Sequence, residues 1–295
     1  MIVEQAQQIR LVDQAEKLRV MARRIKKSVK KRAQVLAITS GKGGVGKTNV
    51  AANLSICLSA AGKDVILLDA DLGLANLDVL MPVKIRANLA HVVAGKRRLA
   101  EIVQSGPGGI RLVCGASGIT QMADLTDLQR QQLVQEMTQL ESTSDIIVID
   151  TGAGISRNVL GFCRSADHTL VVTTDEPTSI TDAYALIKAL NQGPRQPKIS
   201  LLVNMAGNSD QARNVYQRLA HASQRFFNGS IYYAGCILRD EHLCQAVHRR
   251  QPVVLAYPRC PASYCFVALA QKLVRDHKDG PASESFFRKV VNWFF

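Results

Sequence analysis

Residues 41–48 read Gly-Lys-Gly-Gly-Val-Gly-Lys-Thr, four glycines and two lysines in eight positions. The spacing satisfies G-x-x-x-x-G-K-[ST]. The apolar run VLAITS (35–40) precedes it and NVAANLSICLSA (49–60) follows, so the octet is predicted to link a strand to a helix. In that setting the backbone N–H groups of Gly41, Lys42, Gly43, Gly44, Val45 and Gly46 converge on phosphate oxygens, and the helix dipole adds to their pull. Lys47 would reach the β- and γ-phosphates of ATP, and Thr48 would offer its hydroxyl to Mg²⁺. A plain phosphate loop needs no lysine at position 42. Three carboxylates, in two segments, accompany the loop. LLDADLGLANLD (67–78) carries Asp69 and Asp71, and IIVIDTGAG (146–154) carries Asp150. Asp150 closes an apolar run, where a carboxylate can hold a Mg²⁺-bound water.

The elements that must position these residues are visible as alternation. Strands are predicted at 35–40, 64–69, 110–114, 145–150, 169–174, 199–204 and 231–237. They read as continuous apolar runs, the mark of strands buried on both faces of a parallel sheet. Helices are predicted at 48–61, 124–142, 178–191, 208–226, 240–250 and 261–277. Strand–helix alternation implies a doubly wound α/β fold, a mostly parallel sheet with helices on both faces and right-handed crossovers. Ligands of such sheets bind at the carboxyl ends of the strands.

Two appendages flank this core, giving three segments: 1–33, 34–277 and 278–295. In the first, Leu11, Ala15, Leu18, Ala22, Ile25 and Val29 share one helical face, and the other faces are basic. Residues 1–34 hold ten Lys/Arg against three Asp/Glu, about half of the chain's net charge of +13. Such a surplus favours an anionic partner. In the last segment, HKDGPASES (277–285) is a polar linker. Beyond it Phe286, Phe287, Val290, Val291 and Phe294 share a face, with Arg288 and Lys289 off it, the composition of an interfacial amphipathic helix.

With 47% hydrophobic and 21% charged residues over 295 positions, the chain is long enough to bury a core. No apolar run reaches the length of a bilayer span. The amino-terminal stretch has polar residues where a signal peptide needs an apolar core, which predicts a cytoplasmic address. Seven cysteines contain no CxxC pair, and reduced thiols without a metal or iron–sulfur site are expected.

The loop resembles that of the MinD/ParA-type deviant Walker ATPases, P-loop NTPases of the SIMIBI class. In them the extra lysine, here Lys42, reaches across a nucleotide-bound homodimer to the partner's phosphates. The resemblance implies further roles. Asp71 sits in the first switch and positions the attacking water, and Asp69 supports the Mg²⁺ shell with Thr48 and Asp150. Asp150 to Gly154 form Walker B and the second switch, where many relatives have a proline in place of Gly152. Asn204 reads adenine, and Glu176 lies near the ribose. Lys42, Lys47, Asp71 and Asp150 are the catalytic set. Leu238 stands where relatives often place a proline in the late adenine loop.

Asp-Gln-Ala-Glu-Lys-Leu-Arg at 13–19 resembles the DQAxxLR motif of the FlhG (FleN) family, MinD-like ATPases that control flagellar number and placement. LGLANLDVLM and DTGAGIS resemble that family more than MinD. The resemblance implies that Asp13, Gln14, Leu18 and Arg19 bind FlhF, a signal-recognition-type GTPase. It implies that the terminal helix binds anionic membrane in the ATP-bound dimer, with a cytoplasmic, peripheral and polar location. A flagellar transcriptional regulator and flagellar switch or C-ring proteins are further implied partners; direct DNA binding is not. MinD-type division-site positioning and ParA-type DNA partition are the alternatives on the same core. The aromatic carboxyl-terminal face does not suggest the second. An iron–sulfur carrier on this fold would want a CxxC pair, and a non-catalytic module would not need Lys42, Lys47, Thr48, Asp71 and Asp150 intact.

Overall fold

The computed structural model describes residues 32–71, 77–81, 96–114, 138–192, 196–227 and 229–275, with positions 83, 87, 88, 91, 92, 135, 286, 289 and 290. Ala33–Phe295 form one compact unit. The DQAxxLR stretch and the face predicted over 5–29 lie outside the described residues.

Eight strands make one sheet: β1 (Gln34–Ser40), β2 (Val65–Ala70), β3 (Gln104–Ser105), β4 (Arg111–Val113), β5 (Ile146–Ala153), β6 (His168–Thr173), β7 (Lys198–Ala206) and β8 (Ile231–Leu238). Their order is β3-β4-β2-β5-β1-β6-β7-β8. Every pairing is parallel except β3 with β4. The longer helices are α1 (Lys47–Ala60), α2 (Arg157–Ser165), α3 (Pro177–Asn191), α4 (Ser209–Phe227), α5 (Glu241–His248) and α6 (Pro261–Arg275).

Alternate strand residues feed two cores. Leu36, Ile38, Leu67 and Val148 face α1 and α6, where they meet Leu54, Phe266 and Leu269. Val35, Ala37, Leu68 and Ile149 face the other layer, which holds Phe162, Leu186 and Leu219. Double burial is why the strands read as unbroken apolar runs. α1 is buried almost throughout, from Val50 to Leu58, so it too lacks a polar face.

Among the elements that the sequence missed are β3 and α2. β3 is two polar residues paired antiparallel at an edge. α2 begins at Ser156, whose hydroxyl accepts from Val159 N–H, and buries Val159, Phe162 and Cys163 at helical spacing. The helix predicted over 124–142 falls mostly outside the described residues, of which 138–142 are helical. At the far end Phe286 and Val290 are buried in the core, and Phe286 stacks on Phe162 at 6.5 Å. Phe287, Val291 and Phe294 lie outside the described residues.

Candidate nucleotide site

β1 sits at the centre of the sheet, between β5 and β6. Its carboxyl end is therefore the crevice where a doubly wound sheet binds ligands. Here the chain leaves Ser40, turns through 41–46 and enters α1 at Lys47. Two glycines are dictated by space. A Cβ on Gly41 would lie 2.2 Å from the Asp182 carbonyl of α3. Gly46 caps α1 with φ of 83°, in the left-handed region, and a Cβ there would lie 2.4 Å from Asn204 Nδ2. That amide donates to the Val45 carbonyl at 2.8 Å, so β7 clamps the loop from beneath.

The loop's two lysines have different surroundings. Lys47 is 8% exposed, and its Nζ meets Asp150 Oδ1 at 2.6 Å. Thr48 also bonds the Asp150 carboxylate. Burial pushes the Asp150 carboxyl upward, and Lys47 works against that push. Lys42 points outward. Its Nζ donates to Glu176 Oε2 at 3.0 Å and Thr178 Oγ1 at 2.9 Å, both at the start of α3. Glu176 thus meets Lys42, and it does not line the cavity beside the loop.

Asp69 and Asp150 lie side by side in register on β2 and β5. Asp69 Oδ1 accepts the Asp71 N–H at 3.0 Å, while its buried Oδ2 has no partner. Burial, with Asp150 and Asp71 nearby, raises the Asp69 carboxyl to about 7. A Cβ placed on Gly152 would come 3.6 Å from Asp71 Oδ1, so the Asp71 carboxylate stands over Gly152.

A cavity of about 530 Å³ opens over the loop. Gly43, Gly44, Lys47, Thr48 and Asp71 form one wall. Met205 and the α5 residues Leu243, Cys244, Val247 and His248 form the other. Sequence reading missed this second wall, because its apolar members look like ordinary helix-face residues. Met205, beside Asn204 with φ of 55°, gave no local signal. Asp240 holds the wall in place: its carboxylate caps α5 at His242 N–H and accepts the Ala262 N–H of α6. Burial acts to raise that carboxyl, but these hydrogen bonds outweigh it and hold it down at about 2.

These residues fit a nucleotide and its Mg²⁺. The buried Asn204 Oδ1 has no partner, and an orphaned acceptor costs about 1–3 kcal/mol, which an amino group of a purine would relieve. The unpartnered Asp69 Oδ2 and the crowded carboxylates call for positive charge. Among the described residues no cluster of three His, Cys, Asp or Glu side chains could hold a metal. Mg²⁺ binds through few protein ligands and takes the rest from phosphates and water.

Residues 36–253 match the CobQ/CobB/MinD/ParA nucleotide binding domain. The chain is 45% identical over 240 residues to the antiactivator FleN of Pseudomonas aeruginosa, covering 81% of this chain and 86% of that protein. It is 35% identical over 266 residues to the flagellum site-determining protein YlxH of Helicobacter pylori, covering 88% and 90%. Among solved structures, the cell division ATPase MinD of Pyrococcus furiosus aligns with a TM-score of 0.68 at 24% identity, covering 83% of this chain and all of that one. MinD of Pyrococcus horikoshii in complex with Mg-ADP aligns at 0.67, also at 24% identity, covering 82% and 96%. These two likenesses show the fold.

Proposed function

The chain belongs to the CobQ/CobB/MinD/ParA nucleotide-binding family, and we propose that it is an ATP-hydrolysing switch that sets the number and placement of bacterial flagella. The observation that carries this reading is the 45% identity to FleN across four-fifths of the chain, with the phosphate-loop residues intact. The work is regulatory, and hydrolysis acts as a timer.

The residues divide the task. The N–H groups of 41–46 and the Lys47 ammonium hold the phosphates. Thr48 and Asp150, with Asp69 behind them, orient the Mg²⁺ shell; bound Mg²⁺ neutralises charge between the phosphates. Asn204 holds the base through Oδ1. Asp71 places the attacking water. Lys42 completes the site of a second copy of the chain, so hydrolysis waits for the ATP-bound homodimer.

The outer segments carry the output. Asp13, Gln14, Leu18 and Arg19 engage FlhF, and a peptide of residues 1–33 should raise that GTPase's rate. An unchanged rate would reject the assignment. The carboxyl-terminal helix binds anionic membrane when released. Phe286 and Val290 are buried in the unit, and freeing each costs about 1.5–3 kcal/mol, so one docked helix stays home. Two helices in a dimer gain effective concentration at one surface. Phe287→Glu should abolish membrane binding and leave hydrolysis unchanged.

The deciding experiment is gel filtration and sedimentation with anionic liposomes, in ADP and in ATP. ATP should produce a dimer that pellets with the liposomes, and ADP a monomer that does not. Equal behaviour in the two nucleotides would reject the switch.

A further inference from the structure

The edge of the sheet opposite the nucleotide crevice has a cavity of its own. It measures about 160 Å³ and lies at the amino ends of β6, β7 and β8, beneath α6. Its floor is polar. His168 and Ser200, 8% and 5% exposed, meet through Nε2 and Oγ at 2.7 Å. Its rim is cationic and aromatic. The Lys198 ammonium stands 5.4 Å from the centre of the Tyr232 ring, and the Lys272 ammonium 5.8 Å from that of Tyr233. Lys272 also donates to the main-chain carbonyls of Tyr233 and Ala234, which fixes it at the mouth. Arg213 is close enough to pull on the Tyr233 phenol.

Charge is the feature that needs an explanation. Among the described residues no carboxylate lines the cavity, and none forms an ion pair with Lys198 or Lys272. Two lysines held at one small opening repel each other, an arrangement that an anion would relieve. The ring faces attract the ammonium groups but do not neutralise them. Lys272 spends two of its three donors on carbonyls and keeps one. At the floor, Ser200 can accept from His168 and turn its own hydroxyl towards the cavity. Donors therefore converge from both ends on a space too small for a nucleotide.

We propose that this cavity is a second anion site, which takes phosphate or a small phosphomonoester and is separate from the phosphate loop. Lys198 and Lys272 supply the charge, and the His168–Ser200 pair supplies a directed hydroxyl donor. The site lies outside the nucleotide chemistry and does not depend on the flagellar reading.

The test uses the full chain saturated with ADP and Mg²⁺, which fills the α- and β-phosphate positions of the loop, and the lysine variants below tell the second site from the vacant γ-position. Inorganic phosphate is titrated by calorimetry at constant ionic strength, with chloride as the balancing ion. One further phosphate should bind per chain in the millimolar range or tighter. Lys198→Gln, at an exposed position that should leave folding intact, should weaken it by about tenfold, the loss of one charge-assisted hydrogen bond. Lys272→Gln should do the same. No phosphate uptake by the ADP-loaded wild type would overturn the proposal, as would unchanged affinity in both variants.

Discussion

Lys42 and Lys47 lie five positions apart in one loop, yet the fold treats them in opposite ways. Lys47 is buried against Asp150, in a pair whose removal on one side strands a charge in the core. Lys42 is 39% exposed and holds Glu176, itself 63% exposed, in a contact of the kind worth about 0–1 kcal/mol. One lysine is built into its own subunit. The other is parked where a stronger anion can claim it. The motif shows both residues, but only the surroundings show which is buried and which is exposed.

The largest expected effect comes from the buried member. Lys47→Ala leaves Asp150 unpaired, so stability should fall by about 3 kcal/mol and the melting temperature by roughly 10 °C. Nucleotide binding should be lost with it, as calorimetry with ADP would read. Lys42→Ala should separate the two properties. Melting should stay within about 1 kcal/mol of wild type, while ATP-dependent dimerisation and hydrolysis both fail. A normal dimer in gel filtration would remove Lys42 from the partner's site.

The carboxylates sharpen the contrast. Asp150 has a lysine of its own, whereas its neighbour Asp69 is raised to about 7 by burial. A carboxyl raised in the folded state binds its proton more tightly there than in the unfolded chain. Its share of stability is present below the unfolded value near 3.8 and is lost as pH rises through about 7. Asp69→Asn should therefore flatten the fall in melting temperature of the nucleotide-free protein between about pH 4 and pH 7. An unchanged slope would place the titration elsewhere. The smallest effect belongs to Glu176→Gln. It unties Lys42 at almost no cost to stability, so ATP-driven dimerisation should tighten by up to about fivefold. Weaker dimerisation would mean that Glu176 contacts the nucleotide.

Much of this was legible beforehand, for physical reasons that vary along the chain. The strand predicted at 35–40 is Gln34–Ser40, and that at 169–174 is His168–Thr173. Strands buried on both faces announce themselves, and so does a loop that must wrap phosphate. β3 could not, because Gln104 and Ser105 carry no apolar pattern. α2 did carry a signal, a serine cap followed by Val159, Phe162 and Cys163, but in only nine residues. The partners of Lys42 were invisible because Glu176 lies 134 positions away. The second wall of the cavity was invisible for another reason: Leu243 and Val247 have the same chemistry whether they face a core or a ligand.

The clamp between Asn204 and Val45 spans 159 positions of sequence. During synthesis the phosphate loop leaves the ribosome long before the residue that holds it from beneath, and before Asp150 as well. An early chain has the loop and α1, but β1 still lacks its neighbours β5 and β6, so there is no complete nucleotide site. Contacts this distant form late and slowly. Nucleotide can therefore stabilise only a chain translated past β7, so binding reports that synthesis has passed Asn204.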